Sequence, residues 1–130
     1  MNILSIDIGK KRIGLAINLT DFLAKEYDTI AYDGDSIKKI LHIIKKENIQ
    51  KIVVGLPINM DGSEGEMAKF VRDFSEKLEK LSDLPLDLED ERLTSSEAER
   101  QLRESGANID EIKKRVDAYS AKLILEQYIG

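Results

Sequence analysis

Asp7, Glu91 and Asp117 are the residues of this 130-residue chain whose type and placement could do chemistry. Asp7 interrupts the apolar run Ile3-Leu4-Ser5-Ile6-Asp7-Ile8, and a carboxylate buried in such a run needs a cation, a metal or hydrogen-bond donors beside it. Glu91 closes the alternating segment Leu86-Asp87-Leu88-Glu89-Asp90-Glu91, and Asp117 lies one turn or more inside the last amphipathic segment. Three carboxylates drawn together cannot all stay ionised, because each raises the pKa of the others. A hard divalent ion, Mg2+ or Mn2+, resolves that conflict and keeps positions open for water and phosphate. Two such ions about 4 Å apart activate a water and stabilise the leaving oxygen of an in-line displacement at phosphorus. This chemistry needs acids on rigid elements and no side-chain nucleophile. The chain has no cysteine, which excludes thiol catalysis and thiolate metal sites, and its one histidine, His42, falls off the apolar stripe of its helix.

Cations accompany each acid. Lys10, Lys11 and Arg12 follow Asp7, Arg92 follows Glu91, and Lys113, Lys114 and Arg115 precede Asp117. The formal net charge is -5, so the chain is no general polyanion-coating protein, and any nucleic-acid site must be a local basic patch of this kind. Two plainer alternatives stand beside this reading. Asp117 has Lys113 and Lys114 as neighbours on its own helix and could pair with them at the surface. Asp90 could take the place of Glu91, since twist or a bulge decides which of two consecutive acids faces a site.

The elements that must position these residues follow from pattern. Ile3 to Ile8 reads as a central strand, apolar on both faces; Gly9 to Lys11 as a tight turn; and Arg12 to Asn18 as an antiparallel partner in which Gly14 leaves room for a close backbone approach. A polar stretch, Leu19 to Lys25, leads to a weakly alternating edge strand, Glu26 to Ala31. Ser36 is placed to cap a helix buried through Ile37, Ile40, Leu41 and Ile44. Lys51 to Leu56, ended by Pro57, is a buried parallel strand, and the loop Ile58 to Gly62 follows it. Ser63 with Glu66 has capping-box spacing before a stripe of Met67, Phe70, Val71, Phe74, Leu78 and Leu81, whose aromatics read as core. Leu86 to Glu91 is a half-covered strand. Thr94 with Glu97 opens a helix that stops at Gly106, and Asn108 with Glu111 opens the last one, Ile109 to Ile129.

Three antiparallel strands followed by helix-linked parallel ones make an α/β fold, a mixed sheet of strand order 3-2-1-4-5 with helices on both faces. Ligands in such sheets gather at the carboxyl ends of the parallel strands, where Asp7, the loop after Pro57 and Glu91 converge. A last helix docked across the sheet adds Asp117.

Four segments carry a family resemblance: Asp7-Ile8-Gly9-Lys10-Lys11-Arg12-Ile13-Gly14-Leu15-Ala16, Gly55-Leu56-Pro57-Ile58-Asn59-Met60-Asp61-Gly62-Ser63, Asp90-Glu91-Arg92-Leu93-Thr94 and Asp117-Ala118. In this order and spacing they resemble the motifs of the YqgF (RuvX) family over essentially the whole chain. The resemblance implies a single ribonuclease H-like domain over 1–130 and a cytoplasmic nuclease associated with maturation of the 5′ end of pre-16S rRNA. It also implies similarity to Holliday junction resolvases. Carried over by position, Asp7 bridges the metals, Glu91 is the strand-end acid, and Asp117 is the acid of the last helix. Asn59 and its loop line the substrate side, with Lys10, Lys11, Arg12, Arg92 and Lys114 as substrate contacts. Where the family usually has small residues after the last aspartate, this chain has Tyr119 and Ser120, and the ring either packs or stacks on a base.

The expected partners are precursor rRNA or branched DNA, and ribosomal particles; the chain is expected to act as a monomer or, for junctions, a homodimer. No apolar run reaches the length of a bilayer span, so no membrane is expected. Two rivals come from other classes. One is a non-catalytic RNA- or ribosome-binding module. The other is an actin-like nucleotide-binding domain, whose phosphate hairpin Asp7-Ile8-Gly9 resembles; its need for two domains around a nucleotide counts against it.

Overall fold

A computed structural model describes residues 1–19, 23–92 and 94–130. Positions 20–22 of the expected polar connection and Leu93 after Arg92 lie outside the described residues. The described elements are β1 (Ile3–Ile8), β2 (Arg12–Asn18), β3 (Lys25–Ala31), α1 (Ser36–Lys46), β4 (Lys51–Leu56), α2 (Glu66–Ser82), β5 (Leu86–Asp90), α3 (Thr94–Glu104) and α4 (Ile109–Ile129), in the expected order. The sheet runs β3-β2-β1-β4-β5, as the crossover rules predict. β1 pairs antiparallel with β2 and parallel with β4, which pairs parallel with β5.

The two faces of the sheet differ in kind. Leu4, Ile6 and Ile8 of β1 point to one side, where they pack with Ile40 of α1 and Val71, Phe74 and Leu78 of α2. Each such side chain, once fully buried, contributes about 1.5–3 kcal/mol, so this set decides which way β1 faces. Strand alternation then sends Ser5 and Asp7 to the other side. β1 is therefore not apolar on both faces as expected. Beyond Ile3 its second face is small or polar, and its neighbours there are small: Ala16 and Gly14 of β2 stand opposite Ser5 and Asp7, and Val53 of β4 stands beside Ser5. α4 lies on this floor. Ser5 Oγ donates to the Ala121 carbonyl at 2.8 Å, and Ala16, Ala24, Ala121 and Leu125 close a second, smaller cluster. α3 packs on α4.

The caps depart from their expected residues. Asn108 and Glu111 do form a reciprocal box at the start of α4, with Glu111 N–H donating to Asn108 Oδ1 at 2.9 Å. Ser36, however, is the first helical residue of α1, and its hydroxyl accepts from Asp33 N–H at 2.8 Å while donating back towards Ala31 and Asp33 carbonyls. Ser63 lies outside α2, whose N-cap is Gly65. Its hydroxyl is held by Asp61 at 2.6 Å and by Asn59 Nδ2 at 3.0 Å, which leaves nothing for the helix. Thr94 sits within the first turn of α3, and Glu97 pairs instead with Arg100 and Gln101. The α2 stripe ends at Leu78, since Leu81 is exposed, whereas Ile43 joins the buried side of α1 and His42 is exposed as expected. No helix among the described residues is long and apolar enough to cross a membrane.

Candidate active site

Asp7 sits near the carboxyl end of β1 on the α4 face, directly across from Gly14. A Cβ on Gly14 would lie 1.9 Å from the Asp117 carbonyl oxygen, so the glycine lets the backbone of α4 rest on β2. That contact brings Asp117 alongside Asp7. Gly55 of β4 serves Glu91 in the same way: a Cβ there would meet the Glu91 carboxyl at 2.9 Å and Ile124 Cδ1 at 2.5 Å. Glu91 follows β5 with its N–H still bonded to the Leu56 carbonyl at 3.1 Å, which extends the strand geometry to it. Asp87 and Glu89, on the same face, reach Tyr128 and Gln127 of α4.

The choice between the two consecutive acids is resolved by Arg92. Asp90 accepts from Arg92 N–H and Nε, both at 2.9 Å, and these bonds hold its carboxyl below the usual carboxylate range. Glu91 turns inward and its carboxyl is hydrogen-bonded to that of Asp7. Burial, set against that hydrogen bond and supplemented by the charge of Asp117, pushes Asp7 up to about 6. Glu91 goes up further, from burial first and then from the charge of Asp7. Two like groups in contact hold one proton between them.

Asp7, Glu91 and Asp117 line one cavity of about 520 Å³, together with Lys10 and Arg92. The Asp117 carboxylate accepts from Arg12 Nε at 2.8 Å, a pair formed across the sheet in place of one with Lys113 or Lys114. Lys11 and Lys114 are exposed and are not part of the cavity wall, and Arg12 reaches it through Asp117. Asn59 turns into its own loop, while Pro57 and Ile58 before it form the wall. Tyr119 packs, its hydroxyl donating to Gln101 at 2.8 Å and its ring lying under Lys122.

Sequence reasoning missed Thr94, Ser95 and Ser96, which also line the cavity from the first turn of α3. A signal was present: three consecutive hydroxyls, just after a strand-end acid, at a helix start whose N–H groups have no helical acceptor.

The donor set is all oxygen, which suits Mg2+ or Mn2+ rather than a soft metal. Two carboxyls in contact, kept from ionising together, are a seat a hard cation would fill. Among the described residues no three acids, histidines or cysteines are close enough to hold an ion together, because Asp117 is turned to Arg12. The fit is thus of two acids in contact and a third on the same wall.

The RuvX family model, described as Holliday junction resolvase, matches residues 1–130. A protein of Maridesulfovibrio salexigens named "Putative pre-16S rRNA nuclease" is 41% identical over 134 residues, covering 100% of this chain and 98% of the relative. One of the same name from Endomicrobium trichonymphae is 46% identical over 135 residues, covering 98% and 94%. Among solved structures, Thermus thermophilus RuvC in complex with a Holliday junction substrate superposes with a TM-score of 0.62 at 10% identity, over 99% of this chain and 94% of that one. The Fowlpox virus resolvase, in complex with Holliday junction DNA, gives 0.55 at 12% identity over 99% of both chains. These likenesses show a shared ribonuclease H-like fold.

Proposed function

This chain belongs to the RuvX family, and from that premise we propose that it is a metal-dependent nuclease whose acids Asp7, Glu91 and Asp117 hydrolyse nucleic-acid phosphodiesters. The observation that carries the reading is the Asp7–Glu91 carboxyl pair, half-buried at the carboxyl ends of the parallel strands in a cavity that also holds Lys10, Arg92 and Asp117. Among the described residues neither carboxyl of a pair so costly to ionise has an ion-pair partner, and a bound cation would offset that cost.

Asp7 and Glu91 would hold Mg2+ or Mn2+, giving up their shared proton, and Asp117 would exchange Arg12 for the ion. The bound ions would supply an activated water and a counter-charge for the leaving oxygen. Lys10 and Arg92 bind the phosphate on either side of the acids. Ser95 and Ser96, in the first turn of α3, orient its non-bridging oxygens. Arg12, released from Asp117, is then free to meet the strand.

Precursor 16S rRNA ranks first as substrate, in the cytoplasm and on ribosomal precursor particles, because the full-length relatives carry that name. Four-way DNA ranks second, on the family description, and would require a homodimer where rRNA trimming requires only a monomer. The test compares wild type with Asp7→Asn on precursor 16S rRNA and on a four-way junction, in Mg2+, Mn2+ or EDTA. We expect rRNA cleavage that needs metal and falls at least 100-fold in the variant. Equal cleavage by both proteins removes the site. Cleavage of the junction alone reverses the substrate order, and ATP hydrolysis with neither nucleic acid cut puts the actin-like rival ahead.

A further inference from the structure

The acid cavity does not end at Lys10. Lys10 and Met67 also belong to a second cavity, of about 370 Å³, whose remaining walls are Tyr32, Phe70 and Glu66. Phe70 and Tyr32 meet edge to face, with centroids 5.2 Å apart. Unlike Phe74, which is buried in the core, both rings are only half-buried. Among the described residues the Tyr32 hydroxyl has no hydrogen-bond partner, so nothing in the protein fixes the polar end of this half-buried ring. Two rings packed solely to finish the core would have no reason to floor a groove that opens into the acids.

We propose that this groove is a stacking subsite for one unpaired nucleotide of the substrate strand, the base lying on the Tyr32–Phe70 pair and Lys10 holding the phosphate between base and acids. The inference deepens the nuclease reading and rests on it. Its occupant is identified by charge and continuity. An exposed lysine at the junction of the two cavities suits a backbone phosphate, and sequence-tolerant stacking on aromatic faces is how single strands are held. Glu66, exposed at the rim, offers an acceptor to a base's exocyclic amine. A duplex keeps its bases stacked on one another and cannot use the rings, so the subsite selects for unpaired RNA or DNA next to the cut.

The experiment measures binding in EDTA, where nothing is cut, of a 12-nucleotide single-stranded RNA carrying 2-aminopurine and of the same sequence as a duplex. We expect 2-aminopurine quenching on the single strand, an affinity for it that falls on the order of tenfold in Tyr32→Leu and Phe70→Leu, and duplex affinity unchanged. Tyr32→Phe keeps full affinity, since the ring and not the hydroxyl makes the contact. Because either leucine variant could fail to fold, wild type is also photocrosslinked to 5-bromouridine RNA. Adducts on Tyr32 or Phe70 support the subsite, whereas unchanged single-strand affinity in folded variants, or adducts only elsewhere, overturns it. Quenching without metal-dependent cleavage leaves the subsite standing and the nuclease reading fallen; cleavage without quenching does the reverse.

Discussion

Asp7 and Glu91 bind protons more tightly in the folded chain than in the unfolded one, Asp7 at about 6 against an ordinary 3.8. The folded state therefore holds the extra proton, and stability falls as pH rises through the interval between unfolded and folded values. The metal-free protein should lose stability as pH rises above about 4, through Asp7 up to about pH 6 and through Glu91 up to about pH 10, by up to about 1.4 kcal/mol per pH unit for each proton. Glu91→Gln should flatten that slope and be about 1–3 kcal/mol more stable than wild type at pH 8, while being inactive. Urea unfolding at three pH values in EDTA measures this, and a flat wild-type profile would deny the shared proton. With Mg2+ present the trend should reverse, because the ion displaces the proton and binds better as pH rises. At this scale type and setting alone picked out Asp7, the Asp90-Glu91 pair and Asp117 as candidates. Which of Asp90 and Glu91 faces inward was not legible, since it depends on Arg92 capturing its neighbour's carboxylate both by backbone and by side chain.

α4 owes its depth on the sheet to glycine, and the two glycines beneath it guard different things. Gly14 faces backbone of α4, which cannot give way, whereas Gly55 faces the ends of the Ile124 and Glu91 side chains. Gly14→Ala should cost about 3 kcal/mol and lift α4 from the sheet. Gly55→Ala should cost about 1 kcal/mol yet reduce kcat/KM at least tenfold, by displacing Glu91. Thermal melts and cleavage kinetics on both variants separate the two effects; equal stability losses would mean that the approach of α4 is not set at Gly14. The existence, order and type of the elements were plain in the periodicity. The caps were harder to read, because spacing shows that a hydroxyl is available to a helix and not that a loop acid such as Asp61 has already taken it.

Across the whole molecule, an acidic chain must bind an acidic polymer through few cations. Of the cations next to the three acids in sequence, Arg115 pairs with Glu26, Arg92 with Asp90 and Arg12 with Asp117, and Lys10, Lys11, Lys113 and Lys114 make no ion pair among the described residues. Single-stranded RNA held by three or four phosphate contacts should give a slope of log K against log[salt] of about -2 to -3, a loss of roughly 30-fold between 50 and 200 mM salt. Fluorescence anisotropy over that range checks it. A slope steeper than about -5 would require a larger basic surface than this cavity provides.

Residue type and period by themselves determined the α/β class and the strand order and marked Asp7 as a candidate, because hydrophobic alternation and crossover handedness leave few ways to arrange these segments and a carboxylate in an apolar strand stands out. Only the tertiary structure decided that Arg12, far away in the chain, holds Asp117, that Ser95 and Ser96 join the cavity, and that Asn59 turns from it. Those outcomes depend on distances between side chains on separate elements, set by how closely a helix lies on Gly14, and no local pattern encodes such a distance.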